Sequence, residues 1–144
     1  MFAVPYDSVE QTLETIHLTQ GLKPDFVNST IFSPYRGLAI TEKALEGGYL
    51  TEEDINRLDD PEFSRTGSVL RLPEKNTIVN LYNFSLIMIH FPWTEPILKK
   101  FIHVQNNFLF KVCFLVSHFL QTRRFVGIGF FRSIYEGYQH RLES

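Results

Sequence analysis

The order of local signals in the first third of the chain restricts its fold more than any single motif does. Ala3-Val4-Pro5 reads as an extended run cut short by a proline, which has no N–H to give to a ladder. "YDSVEQTLETIHLTQG" then carries helical signals. Ser8 and Gln11 stand at capping-box spacing, and Asp7 puts negative charge at the positive end of the helix dipole. Val9, Leu13 and Ile16 mark one face, and Gly21 is a natural stop. Pro24 opens "DFVNSTIF", a β-rich run in which Asn28, Ser29 and Thr30 interrupt simple alternation. Strand, helix and strand in this order make the βαβ crossover that joins two parallel strands. The expectation is an α/β front with helix 8–20 on an incomplete parallel layer. Leu13, Ile16, Phe26, Val27, Ile31, Leu45 and Phe84 are expected to be mostly buried.

Beyond the turn at Pro34 and Gly37, "LAITEKALEGGYL" predicts a short helix closed by Gly47-Gly48. Thr51 and Asp54 predict a second cap and a helix to about residue 58. Residues 59–76, rich in Asp, Pro, Gly and charge, read as a linker between the front, 1–58, and a helical rear, 77–144. In the rear, Asn76 or Thr77 caps a helix that Pro92 ends. Thr94 starts a helix over "EPILKKFIHVQ", with Pro96 in its tolerant first turn. A third helix follows from Phe108 to about Thr122. A fourth, over 125–143, is weakened by three glycines at about 1 kcal/mol each relative to alanine.

Charge and cysteine content exclude several classes. Lys and Arg against Asp and Glu number 4 to 12 over residues 1–63, but 7 to 2 over 97–144. The acidic front argues against nucleic acid, while the basic, aromatic tail leaves room for an acidic partner or peripheral membrane contact. Cys113 stands alone, so no internal disulfide or CxxC pair exists, and a reducing, cytoplasmic setting is the simplest expectation. The first five residues lack the basic start of a signal peptide. The longest apolar stretch, "FLFKVCFLVSHFL", falls short of the about 20 residues a membrane span needs.

No metal ligand or catalytic residue is assigned. His17, His90, His103, His118 and His140 show none of the spacings that put two ligands on one face, and read as structural or surface histidines. Cys113, between Val112 and Phe114, reads as a small buried residue rather than a nucleophile. "TEEDINRLDDPE" lacks the ligand order of a calcium loop and reads as a solvated helix start. Neither Gly47-Gly48 nor Gly127-x-Gly129 has phosphate-loop context. The Phe stripe of the rear helices, Phe101, Phe108, Phe114 and Phe119, reads first as core and second as a partner or membrane face. The two strand ends, "AVPYDS" and "IFSPYRG", are the places where parallel α/β structures hold ligands.

Taken in order, residues 3–50 resemble the last part of a radical SAM enzyme core, in the branch that carries an N-terminal cobalamin-binding domain. That family ends a strand in Gly-hydrophobic-Pro-x-Glu-Thr, leads through a helix to Lys-Pro-Asp, runs the next strand into Pro-Tyr-Pro-Gly-Thr, and closes on Gly-Tyr-hydrophobic. Here residues 3–8 stand at the first signature, Lys23-Pro24-Asp25 at the second, residues 33–38 at the third and Gly48-Tyr49-Leu50 at the close. The resemblance implies C-terminal βα units of a partial TIM-type barrel, followed by a mostly α-helical tail. It places Val4, Pro5 and Asp7 in one rim segment and Phe32, Ser33 and Tyr35 in another, both against the adenosyl part of S-adenosylmethionine. Ala3 replaces the family's glycine, Arg36 a proline and Leu38 a threonine.

The CxxxCxxC loop that ligates the family's 4Fe–4S cluster is absent from this sequence, as is the cobalamin domain. An intact relative would reductively cleave S-adenosylmethionine at that cluster. This chain is expected to be inactive alone and to bind none of the three cofactors tightly. Its expected partners are the missing N-terminal half, or further copies of itself through exposed strand edges. The alternative is a non-catalytic helical module that binds a protein partner or an anionic membrane surface. A self-sufficient hydrolase would need a nucleophile–base pair, and none is evident.

Overall fold

The computed structural model describes residues 1–57, 68–105 and 108–126. Among these the chain forms α1 (Val9–Leu22), α2 (Ala39–Glu46), α3 (Glu52–Asn56), α4 (Lys75–His90), α5 (Glu95–Leu98) and α6 (Phe108–Val126). A 3-10 turn, Pro92–Thr94, precedes α5. Most of the expected fourth rear helix, Gly127-x-Gly129, His140 and half of the linker lie outside the described residues.

The α/β expectation is overturned: the described residues form no sheet, and βα units of a barrel are absent among them. The two extended runs meet in one isolated parallel bridge, Phe2 to Ile31. Phe2 N–H donates to the Thr30 carbonyl at 2.9 Å, and Phe32 N–H donates to the Phe2 carbonyl at 2.8 Å. The ladder cannot grow for local reasons. Ala3 turns to a φ of 56° directly after the bridge, and Pro5 has no N–H to offer. On the other run, Pro34 stands just beyond Phe32. Among the described residues no third run flanks the pair, and two strands without a third are marginal. The sheet with open edges expected to drive self-association does not form among the described residues.

Helix ends follow side-chain chemistry where a cap exists. Ser8 and Gln11 form the reciprocal capping box of α1, with bonds of 3.3 and 3.1 Å. Thr51 and Asp54 do the same for α3. Elsewhere tertiary demands move the ends. α1 runs through Gly21 and stops at Lys23, whose φ of 48° lets its N–H reach the Gln20 carbonyl. α4 starts at Lys75 without a side-chain cap, because Asn76 donates instead to the Val104 carbonyl at 2.9 Å. The expected long helix after Thr94 is a single turn, α5. Asn80, fully buried, donates to the Ile102 and Val104 carbonyls at 2.8 and 2.7 Å and so holds the following backbone in a turn.

α4 is the centre of the structure. Thr77 to Leu81, Asn83 to Leu86, Met88 and Ile89 are all buried, so the helix is covered on every side. α1 and α6 both pack on it. Phe2, Ile16, Phe32, Leu50 and Leu70 join Ile78 and Leu81 in one core. Of the residues expected inside, Ile16 and Phe84 are 0% and 2% exposed. Leu13, Phe26, Val27, Ile31 and Leu45 are half-buried.

Glu95 fastens α1 to the turn after α4. Its carboxylate takes His17 Nε2 at 2.9 Å, Lys99 Nζ at 2.6 Å and Gln20 Nε2 at 3.4 Å. Gln20 Nε2 also reaches the Met88 carbonyl at 3.0 Å. Partial burial raises the pKa of Glu95, but the bonds from Lys99, His17 and Gln20 outweigh it and bring it to about 2. A carboxyl depressed in the folded state gives stability that is fully present above its ordinary pKa of 4.5 and lost as pH falls through about 2. Urea titrations should therefore show the native chain losing on the order of 2–3 kcal/mol from this group over that window. Glu95→Gln should be less stable at neutral pH and flatter across the acid window. Parallel stability–pH curves for the two proteins would refute this role.

Candidate functional site

The first rim segment forms a tight turn. Ala3 N–H donates to Asp7 Oδ2 at 3.0 Å, and Asp7 N–H donates to the Val4 carbonyl at 3.1 Å. Tyr6, at a φ of 67°, projects from this turn onto Tyr49, the rings meeting edge to face at 4.9 Å. A Cβ on Gly47 would fall 2.8 Å from the Tyr49 ring and 2.9 Å from the Tyr6 hydroxyl oxygen, so this contact needs glycine there.

Beside the turn lies a hollow of about 530 Å³, between residues 1–7 and the first turns of α1. Val4, Pro5 and Asp7 line it together with Gln11, Thr12 and Thr15. Its charged side chains are acidic, Asp7 and Glu14, and Met1 with its α-ammonium group also lines it. Thr12 Oγ1 is buried and has no hydrogen-bond partner among the described residues. The two carboxylates suit a group that donates hydrogen bonds, such as an amine or a sugar hydroxyl.

The second rim segment does not line this hollow. Phe32 is 4% exposed and belongs to the core, touching the first segment through its backbone bond to Phe2. Ser33 is exposed. Tyr35 is 67% exposed, and its N–H donates to Thr41 Oγ1 at 3.2 Å. Val4, Pro5 and Asp7 are thus gathered in one place, and Ser33 and Tyr35 stand outside it. A 4Fe–4S cluster does not fit: Cys113 is the chain's one thiol, half-buried on α6. No group of three metal-ligating side chains occurs among the described residues.

A second hollow, of about 500 Å³, escaped the sequence reading. It lies between the end of α1, the end of α4 and the Ser117–Gln121–Arg124 side of α6. Gln121 anchors it: Oε1 accepts the Val27 N–H at 2.9 Å, and Nε2 donates to the Val27 carbonyl at 2.7 Å. His90 Nε2 lies 2.6 Å from the same Oε1. The available signal was Ser117, Gln121 and Arg124, polar residues at helical spacing in an otherwise apolar helix.

No family model matches the chain, and no curated protein or solved structure matches it. No helix among the described residues is long and apolar enough to cross a membrane.

The unpartnered Thr12 hydroxyl yields a direct test. Thr12→Val keeps the shape and removes a buried polar atom, so it should stabilise the chain by about 1 kcal/mol in urea unfolding. A loss of stability would mean that this hydroxyl has a hydrogen-bond partner in solution.

Proposed function

We propose that the chain is the C-terminal portion of a radical-SAM-type enzyme of the cobalamin-binding branch, contributing one wall of the adenosyl site rather than the redox centre. The backbone at Ala3 carries this reading. Where the family has glycine, Ala3 holds a φ of 56°, which glycine adopts freely and alanine at a cost of about 1–2 kcal/mol. Gly37, where the family also has glycine, has a φ of 81°. The Phe2–Ile31 bridge joins the residues just before the two signatures at a single parallel pair, which supports the reading. The donor-seeking hollow at Val4, Pro5 and Asp7 is compatible with adenosine amine or ribose hydroxyls.

In such enzymes the cluster supplies the electron that cleaves S-adenosylmethionine. A chain with one cysteine cannot hold that cluster, so the cysteines must come from another portion of the protein or from a second chain. This chain's part is to position the nucleoside. The test is the coding sequence upstream of Met1. An in-frame segment encoding CxxxCxxC is the expected finding, and protein made from the extended frame should form 5′-deoxyadenosine under reducing conditions. The 144-residue chain, reconstituted anaerobically with iron and sulfide, should show neither cluster absorbance nor product. Either signal from the short chain overturns the proposal, as does an upstream frame without cysteines when no second chain restores cluster absorbance and product on mixing.

One observation favours a second reading, the non-catalytic surface-binding module. The side of α6 turned away from α4 exposes Phe108, Leu109, Leu115 and Val116, with Lys111 and Arg123 among them. An apolar face edged by cations is suited to an anionic membrane surface. Co-sedimentation with anionic vesicles at low salt, and release as salt screens the charges, is the result this reading requires. Failure to sediment at low salt removes it.

A further inference from the structure

The geometry points to a binding site for a small apolar monocarboxylate in the hollow between α1, α4 and α6. The inference does not depend on the radical SAM reading. Its volume of about 500 Å³ lies within the range of small-molecule sites. One wall is aliphatic: Leu86, Ile87 and Ile89 from α4 and Leu120 from α6. The polar lining gathers where α1 gives way to residues 23–27. The paired bonds between Val27 and Gln121 hold that segment against α6, and Arg124 lies one turn further along the same helix face.

The donors at this end are fixed in orientation. The Val27 backbone determines the Gln121 amide, since Oε1 must accept there and Nε2 must donate. His90 Nε2, facing the same Oε1, must then carry a hydrogen. Gln121 Nε2 has a second hydrogen beyond the one given to Val27, available to a ligand oxygen. Lys23 and Arg124 line the hollow and form no ion pair with any described residue, and Asp25 is the single acidic group of the lining. Two cations against one carboxylate leave one net positive charge, which matches a monoanion better than a dianion. An aliphatic wall beside a singly cationic rim defines an amphiphile with a carboxylate head.

The test uses the full chain and the fluorescence of Trp93, the protein's one tryptophan, next to the lining residue Pro92. Decanoate, decanol and decyl phosphate are titrated below their micellar concentrations. Decanoate should bind saturably, and roughly tenfold tighter than decanol. Arg124→Glu should weaken decanoate by a similar factor and leave decanol unchanged, and Ser117→Phe should block both by filling the hollow. Leu115→Glu, on the opposite side of α6, should bind like the native chain and so separates this hollow from the exposed face. Should Arg124→Glu misfold by circular dichroism, Lys23→Glu takes its place. Equal binding of decanoate and decanol, tighter binding of decyl phosphate, indifference to the charge reversal, or no binding overturns the assignment.

Discussion

Everything in this chain depends on giving α4 a cover. A helix buried on all sides has no solvent face, so each neighbour is needed to keep its apolar surface from water. At about 1.5–3 kcal/mol for each large aliphatic residue fully buried, Ile78, Leu81, Phe84, Leu86, Met88 and Ile89 form the largest concentrated source of stability in the fold. α1 covers one side, α6 another, and the loops bearing Leu50 and Leu70 share the same core. Two of the buried polar residues within α4 bond to backbone carbonyls, while Asn83 Nδ2 has no partner among the described residues. Asn80 satisfies two backbone carbonyls that the short α5 leaves open, and Ser85 donates to the carbonyl of Tyr82.

Much of the local structure could be read from residues. The capping boxes at Ser8 and Thr51, the short helix before Gly47 and the α6 run were all visible, because they rest on neighbours in sequence. The sheet was misread because strand formation depends on partners, and a sequence shows candidates for pairing rather than pairing itself. Phe2 and Ile31 do pair in the expected parallel sense, but the left-handed turn at Ala3 ends the ladder after one step. The turn that replaces a long helix after α5 was likewise hidden. Its cause is Asn80, some twenty residues upstream, which interacts with that backbone only in the folded state.

The candidate sites divide in the same way. Val4, Pro5 and Asp7 are contiguous, so a local motif could bring them together, and they do share one hollow. Adding Phe32, Ser33 and Tyr35 required the two runs to stay parallel for several residues, and one bridge cannot carry that register. The hollow at Gln121 was out of reach for the opposite reason. Val27 and Gln121 are 94 positions apart, and nothing in either neighbourhood indicates the other.

The placement of α4 also bears on how the chain is made. Its first 50 residues contribute Phe2, Ile16, Phe32, Ala44 and Leu50 to a core whose centre, residues 75–90, emerges later in synthesis. At roughly 5–20 residues per second, that delay amounts to a few seconds on the ribosome. During it, α1 has a capped start and an apolar side with nothing to bury it against. Until α4 emerges the front half therefore carries apolar surface that nothing covers, and a pause in translation before α4 would lengthen its exposure to proteases and to neighbouring nascent chains.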